Sequence, residues 1–123
     1  MPSDCNACFY AGDYEAPEFY VRTVRVARKE HSCSECYARI LPGERYEHVS
    51  AKWEEILDSF PTCLVCVEIR DAFACEGFVH TTVWSDIREG MFESMTTACL
   101  EKLSTAAAKA KLLKEWNEWK FGQ

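Results

Sequence analysis

Six of the eight cysteines in this chain fall into three copies of one spacing: Cys5-Asn-Ala-Cys8, Cys33-Ser-Glu-Cys36 and Cys63-Leu-Val-Cys66. Two residues between thiols allow a tight knuckle in which both sulfurs face one point, the geometry that suits a tetrahedral zinc ion. The second and third pairs stand 26 residues apart, a gap that a strand-rich segment fills naturally. Cys33, Cys36, Cys63 and Cys66 are therefore the expected zinc ligands. With four sulfurs and no open coordination position, such a zinc is structural rather than catalytic.

Cys5, Cys8, Cys75 and Cys99 remain. They make either a second all-thiolate zinc site or, at Cys75 and Cys99, small buried hydrophobes in helical context. Cys5-Cys8 pairing with Cys33-Cys36 is a further arrangement that spacing leaves open. The expected content is thus one Zn²⁺, or two if the remaining four close on a second ion.

Other catalytic chemistry is poorly represented. His31 lies two residues before a ligand, His48 in strand-like sequence and His80 before a helix, and nothing places two of them together beside a carboxylate. A nuclease on such a scaffold needs further His, Asn or Asp ligands, and the sequence after Cys66, Val67-Glu68-Ile69-Arg70-Asp71, supplies no histidine. No glycine-rich phosphate loop and no nucleophile elbow is present. The chain reads as a non-enzyme.

Binding surfaces are the alternative source of function. Trp116, Trp119 and Phe121 cluster at the end of the last helix, and Trp is a frequent interface anchor. A protein partner, host or viral, or a homodimer formed through that helix, is the leading expectation. The second candidate is a basic strand, Arg22, Arg25, Arg28 and Lys29, extended by Arg39 and Arg45, which would follow a nucleic-acid backbone. A third is mimicry of DNA by acids at Asp4, Asp13, Glu15, Glu18, Glu54, Glu55 and Asp58. The formal charge of −6 argues against broad duplex binding through phosphates, and four thiolates around one zinc would bring it to about −8.

The elements that must position these groups follow from pattern. At 123 residues one domain is expected, with an acidic arm at 1–18, a zinc module at 19–76 and a helical part at 77–123 packed on it. Phe19 to Arg28 favours a strand. Tyr37–Leu41 and Arg45–Ser50 flank Pro42-Gly43-Glu44 and read as a hairpin. Ile56–Thr62 is a further strand. Helical spacing begins at Cys63, with Val65, Ile69 and Phe73 on one face and Glu76-Gly77 as the stop. A second helix is expected over Thr82–Met91 and a third from an N-cap at Thr97 to Lys120, with Ala108, Leu112, Trp116 and Trp119 as its stripe. The fold class is α+β: a small zinc-stabilised, treble-clef-like hairpin module followed by about three helices. Met1-Pro2-Ser3-Asp4 opens no signal peptide and no stretch approaches a membrane span, so a cytoplasmic protein is expected.

The block from Ala27 through Cys33-Ser-Glu-Cys36, then Leu41-Pro42-Gly43-Glu44-Arg45-Tyr46, Trp53 and Thr62-Cys63-Leu-Val-Cys66, resembles a group of small phage and prophage proteins. They share a knuckle, a Pro-Gly-Glu-x-Tyr hairpin and a Thr-Cys-x-x-Cys helix start, matched here over roughly residues 18–90. The resemblance implies a viral origin, a zinc fold and work in a host bacterial cytoplasm. On that basis the expected role is regulation or inhibition of a macromolecular partner.

Overall fold

The computed structural model of the chain describes residues 5–11 and 17–122. It is a mixed α/β structure that divides into two compact units, 12–67 and 1–11 with 68–123. The division falls at 67/68, inside a helix, rather than at 76/77, and residues 5–11 belong with the helical unit.

The first unit is built on a three-stranded antiparallel sheet of order β1-β4-β5, with β1 at Phe19–Val26, β4 at Arg45–Trp53 and β5 at Ile56–Cys63. Register is continuous: Thr23 lies opposite His48, and His48 opposite Pro61. Side chains alternate along a strand, so the register assigns every residue to one of two faces. A small second sheet pairs β2, His31–Ser32, with β3, Arg39–Ile40.

That pairing corrects the expected hairpin. Pro42-Gly43 does form the turn, with Gly43 at φ +93° and Glu44 N–H donating to the Leu41 carbonyl at 3.0 Å. However, it links strands of different sheets: β3 pairs back onto β2 across the Cys33–Cys36 knuckle, while β4 pairs with β1 and β5. The long hairpin is instead β4–β5, closed by Glu54-Glu55 between the paired Trp53 and Ile56, with Glu54 at φ +55°. Two-residue loops of this kind normally use Asn or Gly at a positive φ. A Glu-Glu turn therefore carries no sequence signal.

α1, Leu64–Phe73, starts directly after Cys63 as expected, although it ends before the Glu76-Gly77 stop. Its second half lies in the other unit, whose core gathers Phe9, Ile69, Phe73, Ile87, Met91 and Leu112. Residues 5–11 run extended there, without turn or bend from Cys5 to Cys8. Cys5, Ala7 and Phe9 face inward, and Phe9 N–H donates to the Phe73 carbonyl at 3.0 Å.

α2, Val83–Asp86, continues into a π-helical turn at Ile87–Met91, where Phe92 N–H reaches the Ile87 carbonyl at 3.2 Å. The wider turn brings Ile87, Met91 and Phe92 all into the interior, which a 3.6-residue period does less well. The last helix is shorter than its sequence suggests. Thr97–Lys102 is 3₁₀, and α3 runs from Ala106 to Phe121, capped by Thr105, whose Oγ1 accepts from Ala108 N–H at 3.2 Å. The reason is Glu68 on α1. Its carboxylate takes the Ser104 and Thr105 N–H groups and the Thr105 hydroxyl, holding the chain extended one step before the cap.

Candidate metal centre and binding face

The Cys33–Cys36 knuckle is formed by a chain reversal between β2 and β3: Cys33 N–H donates to the Ala38 carbonyl at 2.9 Å and Tyr37 N–H to the Cys33 carbonyl at 3.0 Å, with Tyr37 at φ +63°. Ser34 fastens the knuckle to β5 twice, through its N–H and its hydroxyl, both to the Pro61 carbonyl at 2.7 and 2.6 Å. Cys63 ends β5 and Cys66 sits in the first turn of α1, where exposed amide donors favour negative charge.

The result is four sulfurs all within 4.8 Å of one another, with Cys36 Sγ and Cys63 Sγ 3.8 Å apart. A tetrahedral ion with metal–sulfur bonds of about 2.3 Å requires sulfurs about 3.8 Å apart, so the donor set fits such an ion. The Glu35 and Cys63 N–H groups each reach Cys33 Sγ at 3.4 Å, which is how a protein supports a thiolate. Hydrogen bonds from Cys36 first, then Cys63 and Cys66, hold the Cys33 thiol far below the ordinary range. Cys36 is drawn down to about 6: Cys33 opposes the shift, and Cys63 and Cys66 produce it. Cys63 and Cys66 are pushed up because they donate, to Cys33 first and then to Cys36. Four sulfurs this close all carry charge only when a cation lies among them.

The remaining four cysteines are paired differently. Cys5 is bonded to Cys99 and Cys8 to Cys75. A knuckle needs a turn between its cysteines; the extended run turns Cys5 inward with Ala7 and Phe9, while Cys8 alternates outward. The alternation Cys-Asn-Ala-Cys-Phe-Tyr is visible in the sequence, and it is a strand signal rather than a knuckle signal. Both bonds tie this segment into the helical unit, one in its core and one at its surface.

The basic set separates into two faces. Register places Arg22 with Tyr20, Val24, Glu47 and Val49 on one side of the sheet, where Arg22 Nε lies 3.4 Å from Glu47 Oε2. Arg25 lies on the other side with Phe19, Val21, Thr23, Tyr46, His48 and Lys52, continued on β5 by Leu57, Ser59 and Pro61. None of the strand residues on this second face is Asp or Glu. Apart from Tyr46, which stacks beneath His31 at 4.8 Å between ring centres, its residues are exposed or half-buried. Phe19 is 46% exposed and Leu57 66%. Burial first, then Arg25 and His31, lower the His48 pKa, so its ring is neutral near pH 7 and the charge of the face rests on Arg25 and Lys52.

At the end of this face a half-open cavity of about 800 Å³ is lined by Arg25, Arg28, Lys29, His31 and Tyr46. Arg28 and Lys29, assigned from sequence to the strand, belong to the loop that follows it. Arg39, a further basic candidate, is paired with Glu30 at 3.6 Å. Arg45 lies on the Arg22 side of the sheet, opposite Val26.

The tryptophan anchors are largely spent inside the helical unit. Trp116 is 8% exposed, in line with buried Ala108 and Leu112, and Trp119 meets Phe92 at 5.7 Å. Only Phe121, at 86%, stands free of the interior. Buried Arg70, which no sequence pattern announced, pairs with Asp71 at 3.0 Å and lies over the Phe78 ring at 4.3 Å. Asp4, Asp13 and Glu15 lie outside the described residues. Among the described residues no helix is long and apolar enough to cross a membrane. Comparison with protein-family models, curated proteins and solved structures finds no match for this chain.

Proposed function

We propose that the chain is a non-catalytic zinc module, treble-clef-like in its knuckle and helix-start ligands, that binds single-stranded nucleic acid along the open face of its three-stranded sheet. One observation carries the reading. In a chain where acids outnumber bases 20 to 14, three adjacent strands present a face with no acid, bearing Arg25 and Lys52 beside exposed Phe19 and Leu57. Single strands are held by backbone-tracking cations together with aromatic surfaces on which bases stack, an arrangement that needs no groove for a duplex. Zinc supplies no chemistry. It fixes the knuckle and helix start that hold β5, and through it the face, in shape.

The resemblance to phage proteins adds the setting: regulation of, or interference with, host or viral nucleic-acid transactions. A protein partner is the second reading. It is favoured by Val24 and Val26, exposed on the opposite side of β1.

Fluorescence anisotropy with short single-stranded DNA and RNA, titrated across salt concentration, tests the first reading. Arg25→Glu with Lys52→Glu is expected to weaken binding at least tenfold and to flatten the salt slope, while the charge-matched control Lys114→Glu with Lys120→Glu, at exposed positions of α3, changes little. Binding unaffected by the double reversal, or no binding by the zinc-loaded protein, rejects it.

A further inference from the structure

We propose that the cavity beyond β1 is a phosphate-monoester site that receives the terminal phosphate of the strand lying on the sheet. The inference rests on the nucleic-acid reading for its partner and on the cavity for its chemistry.

Three cations line one space of about 800 Å³: Arg25, Arg28 and Lys29. None of the three makes an ion pair among the described residues. The acid next to them in sequence, Glu30, is engaged with Arg39 instead. Arg25 spends its Nε on Thr23 Oγ1 at 3.2 Å, which orients the guanidinium and leaves its amino groups available. Such a concentration of positive charge exceeds what one phosphodiester, with a single charge, would neutralise. A terminal phosphate carries close to two charges at neutral pH and three acceptor oxygens.

The walls are rigid where they need to be. Ala27, buried at the base of the loop, is fixed on both sides: its N–H donates to the Glu44 carbonyl and its carbonyl accepts from Gly43 N–H, both at 2.8 Å. His31 is paired with Ile40 two residues before the ligand Cys33, and Tyr46 lies opposite the ligand Cys63. The half-exposed His31 ring, backed by Tyr46, offers a flat surface for the terminal base. The volume suits a single nucleotide. Cations, stacking surface and the acid-free face are therefore continuous, and a strand running along β1 ends in this space.

Oligonucleotides of one sequence carrying a 5′-phosphate, a 3′-phosphate or hydroxyl ends separate the possibilities, with inorganic phosphate and a nucleoside monophosphate as competitors. One phosphorylated end is expected to bind five- to tenfold tighter than the hydroxyl form. Arg28→Ala with Lys29→Ala is expected to erase that difference while hydroxyl-ended affinity stays within about threefold, and the nucleoside monophosphate is expected to compete for the added increment. Equal affinity for all three ends overturns the phosphate site and leaves the face reading intact. Monophosphate binding that depends on Arg28 and Lys29, with no oligonucleotide retained, supports the site as one for free nucleotides and overturns the face.

Discussion

Arg22 Nε and Glu47 Oε2 lie 3.4 Å apart, diagonally across β1 and β4, with the glutamate side chain 3% exposed and the arginine 48%. This pairing withdraws one of four clustered basic residues from the surface available to a polyanion. Arg25, three residues on, emerges on the opposite side of the sheet. Arg22→Ala should therefore cost about 1–2 kcal/mol in urea unfolding, by stripping a buried carboxylate of its cation, while oligonucleotide affinity stays within about twofold. Arg25→Ala should do the reverse. Matching effects of the two substitutions on binding would contradict the division into faces.

Metal content is the next measurement. Native mass spectrometry of protein prepared without chelator should show one zinc per chain, held by Cys33, Cys36, Cys63 and Cys66. Its removal should cost on the order of 10 kcal/mol, enough to unfold the sheet unit, seen as loss of β signal in circular dichroism. Serine at all four positions with an unchanged melting profile would exclude a structural ion.

Thiol accounting separates the other four cysteines. After chelation and denaturation without reductant, four thiols should react and four should not. The surface bond, Cys8–Cys75, should open to mild reductant before the buried Cys5–Cys99. Loss of Cys5–Cys99, which spans a sequence separation of 94 residues of which Cys8–Cys75 already closes 67, should cost about 3.5 kcal/mol on a loop-entropy basis, the value for a loop of about 27 residues. Eight reactive thiols and two zinc ions per chain would instead restore the all-thiolate second site.

Glu68 gives a pH-dependent prediction. Hydrogen bonds, first from the Thr105 side chain, hold its carboxyl below the ordinary value of 4.5. Because the folded pKa is depressed, its contribution is complete at neutral pH, begins to fade near pH 4.5, and is lost as the pH falls through the folded value. Glu68→Gln should remove about 1 kcal/mol at pH 7 and flatten the acid limb of the stability curve below pH 4.5. An unchanged acid limb would show that the contact carries no weight.

Sequence legibility followed the range of the determining interaction. The four-cysteine cluster able to hold a metal ion was readable because each Cys-x-x-Cys pair is local and its reach is set by two intervening residues. The turn at Pro42-Gly43 was readable as well, but its partner strands were not, since β3 is claimed by β2 across the knuckle. The start of α3 depended on Glu68, 36 residues away from Ser104, which no local propensity reports. Trp116 and Phe121 share the last helix, and only the packing decided that the first is interior and the second is not. Most consequentially, Arg22, Arg25, Arg28 and Lys29 look like one basic run. A period of two, applied with the correct register, divides them between two faces and a loop.

The acid-free face also bears on encounter at a distance. A molecule of net charge −6 in which Arg25, Lys52, Arg28 and Lys29 share one acid-free face and the cavity at its end presents a polyanion with a local attraction inside a net repulsion: repelled in most approaches, attracted in one. At low ionic strength the long-range repulsion dominates, and near physiological salt, with a screening length of about 8 Å, only the local attraction is felt. Capture rates should then climb with added salt before they fall, the opposite initial trend to that of a uniformly basic binder.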